Sequence, residues 1–404
     1  MPLGLYIAVP FCPTKCSYCN FASGVSSPAI FQRYVQCVCS DIERAAEASE
    51  QMGGLWEHRV DSVYFGGGTP TLLDVGQLER LFVTLSQNFS LQRETEITVE
   101  CAPGTLSDAL LETFVRCGVN RVSLGVQSFV DREAAAVGRK HTRACVLEDL
   151  SRLRDAGISN LNIDLIAGLP HQDAASWDFS LNEVIASGVP HVSIYMLEVD
   201  EDSRLGRELI AGGTRYHAHA VPDDELTANL YVTACQRLQS AGLAQYEISN
   251  FARSGAESQH NLKYWTRQPY LGFGVDAHSM LQADSHGLNA VRFSMPDSLE
   301  EYLAGGSLRR TQVPPRAAFE ETFFLGLRLN RGVNLVEVRD HFCGGVDLIL
   351  PIIDEFIEAG LMEREGDQIC LTGRGRLFSN EVFERFILSD LSEQSFAHSL
   401  VKSP

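Results

Sequence analysis

Three cysteines within eight residues, Cys12, Cys16 and Cys19, follow directly on the apolar run 5–9. That run (Leu5, Tyr6, Ile7, Ala8, Val9) reads as a buried strand, so the thiols leave its C-terminal end together on one loop. Cysteines at this spacing ask for a ligand. A structural zinc site closes four protein ligands around the metal, but the position two beyond Cys19, where a fourth thiol could stand, is Phe21. Three thiolates can instead hold three irons of a four-iron, four-sulfur cube and leave the fourth iron for an exogenous chelator. An adventitious cysteine cluster and a zinc site are the competing readings, and the apolar fourth position counts against a closed site.

Through about residue 243 the chain alternates short β-branched runs with longer amphipathic ones. Strands are expected at 5–9, 62–65, 96–100, 121–126, 161–166 and 191–197, and helices at 77–86, 108–117, 143–156, 174–187 and 223–241. Six strand–helix units suit a parallel, barrel-like sheet with its chemistry at the strand C-terminal ends. Polar residues stand where those ends fall. Gly66-Gly67-Gly68-Thr69-Pro70-Thr71 follows strand two, and its missing side chains let backbone amides approach a ligand. Glu100, Gln127 and Asp164 close strands three, four and five, and Arg139 follows on the next connection, where it could pair with a carboxylate. Each has a plainer reading as a tight turn, a buried structural hydrogen bond or a surface arginine. Three polar residues on successive strand ends nevertheless converge on one pocket mouth.

Cys12-x3-Cys16-x2-Cys19, with Tyr18 before the last cysteine, resembles the signature of the radical S-adenosylmethionine (SAM) superfamily. That resemblance implies an open six-unit partial barrel and a 4Fe-4S cluster on Cys12, Cys16 and Cys19. It also implies that the amine and carboxylate of SAM occupy the open iron, with cleavage to an adenosyl radical on reduction. Further motifs narrow the likeness: Gly125-Val126-Gln127-Ser128-Phe129, Asn162-Ile163-Asp164-Leu165-Ile166-x-Gly168-Leu169-Pro170 and Gly272-x-Gly274-x-x-Ala277-His278-Ser279. With the Gly-rich loop they are similar to oxygen-independent coproporphyrinogen III oxidase and its relatives over residues 5–386. By that match Tyr6, Gly67, Gly68, Thr69, Glu100, Gln127, Arg139 and Asp164 are SAM-pocket positions. Two features depart from the oxidase, namely Phe21 in place of a fourth cysteine and only eleven residues before Cys12. A third, His260-Asn261-Leu262-Lys263-Tyr264-Trp265, matches the His-Asn-x-x-Tyr-Trp motif of the HemW-type heme chaperones. That match implies heme as a cofactor, with His260 as an iron ligand and Tyr264 and Trp265 against the macrocycle. His278 is a weaker ligand candidate, and a histidine that merely bonds its surroundings is the plain alternative for His260.

The expected organisation is an α/β chain with a radical SAM partial barrel (1–243), a heme- or SAM-proximal extension (244–306), a mainly helical winged-helix-like domain (307–388) and a disordered tail (389–404). Residues 301–315, with Gly-Gly and Pro-Pro, read as a linker. Helices are expected at 318–329, 335–342, 346–359 and 380–388, with a hairpin over 361–371. A winged helix suggests DNA, but the third helix carries Asp347, Asp354, Glu355 and Glu358 without a Lys or Arg, and the formal charge is −19. A phosphate-binding surface is carried by Lys and Arg, so nucleic acid is excluded as a partner. No apolar run is long enough to span a membrane, no targeting peptide is visible, and eight further cysteines form no paired framework. The reading is a cytoplasmic heme chaperone whose partners are heme and acceptor hemoproteins, with transient contact to membrane proteins left open. The oxidase is the alternative, and an interaction module with a vestigial cluster site is the third reading.

Overall fold

A computed structural model describes residues 1–342, 344–388 and 396. Its centre is six parallel strands: β1 (Leu3–Val9), β2 (Arg59–Gly67), β3 (Ser90–Cys101), β4 (Arg121–Gln127), β5 (Asn160–Ala167) and β6 (His191–Met196). They pair in sequence order, each parallel to the next. One face of every strand is apolar and buried beneath the helices, as in Leu3, Leu5, Ile7 and Val9 of β1 or Leu161, Ile163 and Leu165 of β5. The alternate positions form a polar lumen. Tyr64, Glu100, Ser123, Asn162, Asp164, His191 and Ser193 are bonded to one another across it. The period of two thus divides each strand between a helix-packed outer layer and a hydrogen-bonded interior.

The sheet continues beyond these six strands on both sides. Past β6 lie β7 (Ala244–Gln245) and β8 (Asn250–Ala252), both antiparallel. Against β1 lies β9 (Tyr270–Phe273), a seventh parallel strand that the sequence pattern did not indicate. It leads into the antiparallel meander β10 (His278–Gln282), β11 (Ala290–Ser294) and β12 (Arg309–Val313). The resulting twelve-stranded sheet is open, ending in β12 on one side and β7 on the other. Residues 301–315, expected as a linker, are therefore corrected. They hold the end of a helix (Leu299–Leu303) and β12, which pairs with β11 from Val313 to Arg309.

The remaining part packs the helices Pro315–Gly326, Leu335–Phe342 and Leu350–Glu358 against a small sheet ordered β13 (Val333–Asn334), β15 (Gln368–Leu371), β14 (Met362–Glu365). The hairpin turns at Gly366, whose φ of 61° suits glycine. Phe319, Phe323, Phe342, Ile353 and Phe386 form its own core. Glu321 ties it to the large sheet by accepting from Arg267 Nε at 2.9 Å and Arg292 Nη1 at 2.5 Å. The tail 389–404, expected to be disordered, lies outside the described residues except for Phe396. That ring packs on Phe319 with centroids 5.2 Å apart. Among the described residues no helix is long and apolar enough to cross a membrane.

Candidate functional site

The cysteine loop leaves β1 after Val9 and is pinned on all sides. Cys12 N donates to Gly24 O at 3.0 Å and Gly24 N to Pro10 O at 2.8 Å, closing the loop on itself. Thr14 Oγ1 donates to Gly138 O at 2.9 Å and Ser17 N to Val137 O at 3.2 Å. From the far side, Leu205 N donates to Ser17 O at 2.9 Å and the Arg204 guanidinium to Lys15 O. Beneath the loop Phe11 is fully buried and stacks on Phe31 at 3.9 Å. The backbone is thus fixed while Cys12, Cys16 and Cys19 stay free and half-buried. Burial pushes the Cys12 thiol up, so its thiolate would form with a bound cation. Among the described residues no three His, Cys, Asp or Glu side chains converge where a single ion could sit. A zinc site needs such convergence, whereas a cube takes one thiolate on each of three separate irons.

The Gly-rich loop closes over the same place. Gly68 N donates to Val9 O at 2.8 Å and Thr69 N to Phe11 O at 2.7 Å. A Cβ on Gly68 would lie 2.6 Å from Phe11 O and 2.7 Å from Val9 O, and Gly67 has φ of 100°. Only glycine allows both the turn and the approach. Thr69 Oγ1 lies 3.9 Å from Cys12 Sγ, and the Tyr6 hydroxyl lies beside Gly67.

Behind it, Glu100 accepts from Tyr64 Oη at 2.9 Å and Gly67 N at 3.2 Å. Asp164 accepts from Asn162 Nδ2 at 2.7 Å and Ser123 Oγ at 3.1 Å. Burial, and then the neighbouring Asp164 charge, push the Glu100 carboxyl up to about 7, and burial raises Asp164 too. Gln127 sits at φ of 68°, an uncommon backbone for a non-glycine residue. Its amide adjoins the Arg139 guanidinium across Gly125. Arg139 Nη2 donates to Tyr18 Oη at 3.4 Å, while its buried Nε has no partner. A buried guanidinium with a spare donor beside three thiols suits an anionic ligand. The donor set therefore fits a 4Fe-4S cluster with SAM on its open corner.

Eleven of the fourteen residues singled out from the sequence thus gather at one mouth. Tyr64, Ser123 and Asn162 were missed. The signal that could have found them is alternation, since they occupy the same inward positions as Gly66 and Asp164.

The His-Asn-x-x-Tyr-Trp motif, expected at a heme site, lies elsewhere. It forms the helix Gln259–Trp265, whose first amides, Gln259 N and His260 N, each donate to the Glu96 carboxylate at 3.2 Å. Glu96 pairs with Ser62, and a Cβ on Gly4 would meet the His260 ring at 3.2 Å. These residues lie toward the strand N-terminal ends, away from Val9 and Gly67, so the helix plugs the barrel base. His260 is 1% exposed, its Nδ1 bonded to Ser62 Oγ at 3.0 Å and its Nε2 to Tyr264 Oη at 2.8 Å. Burial first, then Lys263, lowers its pKa to about 3. Tyr264 is committed to that bond and packs edge-on against Tyr270 at 4.6 Å. Trp265 lies under the Arg328 guanidinium at 4.3 Å. The buried Trp265 Nε1 has no hydrogen-bond partner, and His278 is exposed, 3.8 Å from Asp276.

The radical SAM superfamily profile matches residues 6–184, and that of the HemN C-terminal domain residues 313–378. The fold resembles coproporphyrinogen III oxidase (HemN) from Escherichia coli, with a TM-score of 0.78 at 23% identity over 96% of this chain and 90% of that one. Parallel barrel, cysteine loop and Gly-rich loop together place the chain in the radical SAM superfamily, which implies a 4Fe-4S cluster and SAM. Two curated relatives narrow this. The heme chaperone HemW of Lactococcus lactis is 30% identical over 97% of this chain and 99% of its own length. That of Synechocystis is 34% identical over 96% and 93%. The chain belongs to the HemW family. The mitochondrial radical S-adenosyl methionine domain-containing protein 1 of Bos taurus is 34% identical over 81% of this chain and 74% of its own.

Proposed function

We propose that the chain is a cytoplasmic heme chaperone, binding heme beside a SAM-ligated cluster and passing it to acceptor hemoproteins. The observation that carries this reading is its similarity, along nearly their whole length, to proteins named heme chaperones. Phe21 supports it against the oxidase alternative: it stands where the oxidase has a fourth cysteine and is 68% exposed. Cys12, Cys16 and Cys19 would hold the cluster. When bound, the cluster supplies an electron to the SAM sulfonium. The chain's own residues bind and orient. The Gly67 and Thr69 segment presents backbone to the methionine amine, Arg139 offers Nε to the carboxylate, and Glu100 and Asp164 accept hydrogen bonds from the deeper side of the pocket. Tyr6 stands beside Gly67 and Gln127 beside Arg139, at the same mouth.

The test is an anaerobic hemin titration of the cluster-loaded full chain followed by mixing with an apo-hemoprotein. Binding of about one heme per chain and transfer to the acceptor are expected. A chain that takes up no hemin would refute the reading.

A further inference from the structure

The polar lumen of the barrel is open at the end that carries the cysteine loop and closed at the other. Tyr64, Glu100 and Asp164 point inward from their strands and stay partly exposed. Tyr195, on the same face of β6 as His191 and Ser193, is 42% exposed. Solvent therefore reaches down past these walls from the mouth. Toward the strand N-terminal ends the inward faces are sealed, and Thr98, His191 and His260 are buried.

On that floor stands a cation without a counter-charge. Arg121 opens β4, faces inward like Ser123 two residues on, and is 2% exposed. Its Nε has no hydrogen-bond partner, and among the described residues no carboxylate lies within ion-pair distance of its guanidinium. The acids around it are committed elsewhere. Glu96 accepts from the first amides of the helix Gln259–Trp265, Glu100 from Tyr64 and Gly67, and Asp164 from Asn162 and Ser123. After burial, the Arg121 charge is among the influences on the ionisation of Asp164, Tyr64 and His191, which places the guanidinium inside the lumen between mouth and base. Thr98 on β3 and Asn160 on β5 stand opposite Arg121 across the ladder, and each keeps a buried side-chain oxygen unpartnered as well.

A buried guanidinium is costly unless charge and hydrogen bonds compensate it. Three orphaned polar side chains in one row across adjacent strands mark the place of a guest that supplies them. The permanent cation calls for an anion, and its planar fork matches the two oxygens of a carboxylate. The Thr98 hydroxyl adds a third donor. A phosphate dianion would carry a second charge toward Glu100 and Asp164, whereas a carboxylate brings one. Water alone would satisfy the hydrogen bonds and leave the charge uncompensated.

We propose that Arg121 and Thr98 form a carboxylate-binding subsite on the floor of the barrel lumen, holding the acid group of a ligand that enters past the cysteine loop. The subsite does not depend on the heme reading. The carboxylate is either a free small anion or one arm of a larger ligand whose body lies along Tyr64 and Tyr195.

The test follows the melting temperature of the cluster-loaded full chain, under anaerobic conditions, against rising acetate or phenylacetate, with chloride holding the ionic strength constant. A ligand of the folded chain alone raises that temperature with its concentration. The wild type should respond to at least one of the two probes. Arg121→Met should melt no lower than the wild type in chloride and should not respond to either. Arg121→Lys, which keeps the charge and loses the fork, and Thr98→Val, which loses one donor, should each need about tenfold more probe for the same rise. A stronger response to phenylacetate than to acetate assigns the subsite to an arm of a larger ligand, and equal responses assign it to a free small anion. A wild type indifferent to both probes would overturn the proposal, as would a response that persists in Arg121→Met. Should Arg121→Met not fold, a Thr98→Val curve that coincides with the wild type would overturn it.

Discussion

Arg139→Met separates a ligand-binding role for this arginine from a structural one, because the two predict opposite signs for the apoprotein. Met keeps most of the length and the apolar stem. Without ligand, the guanidinium makes one long hydrogen bond, 3.4 Å to Tyr18 Oη, and leaves a buried Nε unpaired. An unsatisfied buried donor costs about 1–3 kcal/mol, and so weak a bond returns less than about 1 kcal/mol. The cluster-free variant should therefore be as stable as the wild type or more stable, by up to about 2 kcal/mol. SAM binding should move the other way. A hydrogen bond from a charged donor contributes about 1.5–3 kcal/mol, so affinity should fall about tenfold to a hundredfold. Anaerobic urea unfolding of the apoprotein gives the first quantity. A SAM titration followed in the electron paramagnetic resonance spectrum of the reduced cluster gives the second. An apoprotein destabilised by several kcal/mol, with SAM affinity intact, would show that Arg139 serves the fold.

Three further outcomes follow from the same geometry. Cys12→Ala, Cys16→Ala and Cys19→Ala should each abolish a cluster of about four irons per chain, while Cys37→Ala and Cys39→Ala leave it; iron and sulfide analysis after reconstitution decides. Glu100, at about 7 against a usual 4.5, holds a proton in the folded chain that the unfolded chain has released. Apoprotein stability should therefore fall as pH rises from about 4.5 through about 7. The melting temperature of Glu100→Gln should lose the Glu100 share of that slope, and an identical slope would refute the assignment. His260→Ala should cost about 2–4 kcal/mol through a cavity and two lost buried hydrogen bonds. Loss of the Soret band in a still-folded variant would assign His260 as the heme ligand, and an unchanged band would assign it to the fold alone.

What was legible in the sequence was local or periodic. Cys12 to Cys19 and Gly66 to Thr71 each lie on one short stretch, and Glu100 and Asp164 stand out as carboxylates near the C-terminal ends of their strands. Their meeting follows from parallel strands delivering successive C-terminal ends to one rim. What was not legible depended on distant partners. The burial of His260 could not be read because Ser62, Gly4 and Glu96, which enclose it, come from strands far earlier in the chain. The segment around β12 looked like a linker because Gly305-Gly306 and Pro314-Pro315 flank a short polar strand whose four exposed residues give no alternation.

The central claim, a cluster-bearing heme chaperone rather than a decarboxylase, is tested most directly on one anaerobic preparation of the full chain. It would be loaded with iron and sulfide, titrated with hemin, and supplied in parallel with coproporphyrinogen III, SAM and a reductant. The account predicts a Soret band at about one heme per chain, an intact cluster, and no protoporphyrinogen. Sustained conversion of coproporphyrinogen, or a cluster-loaded chain that leaves hemin in solution, would contradict it.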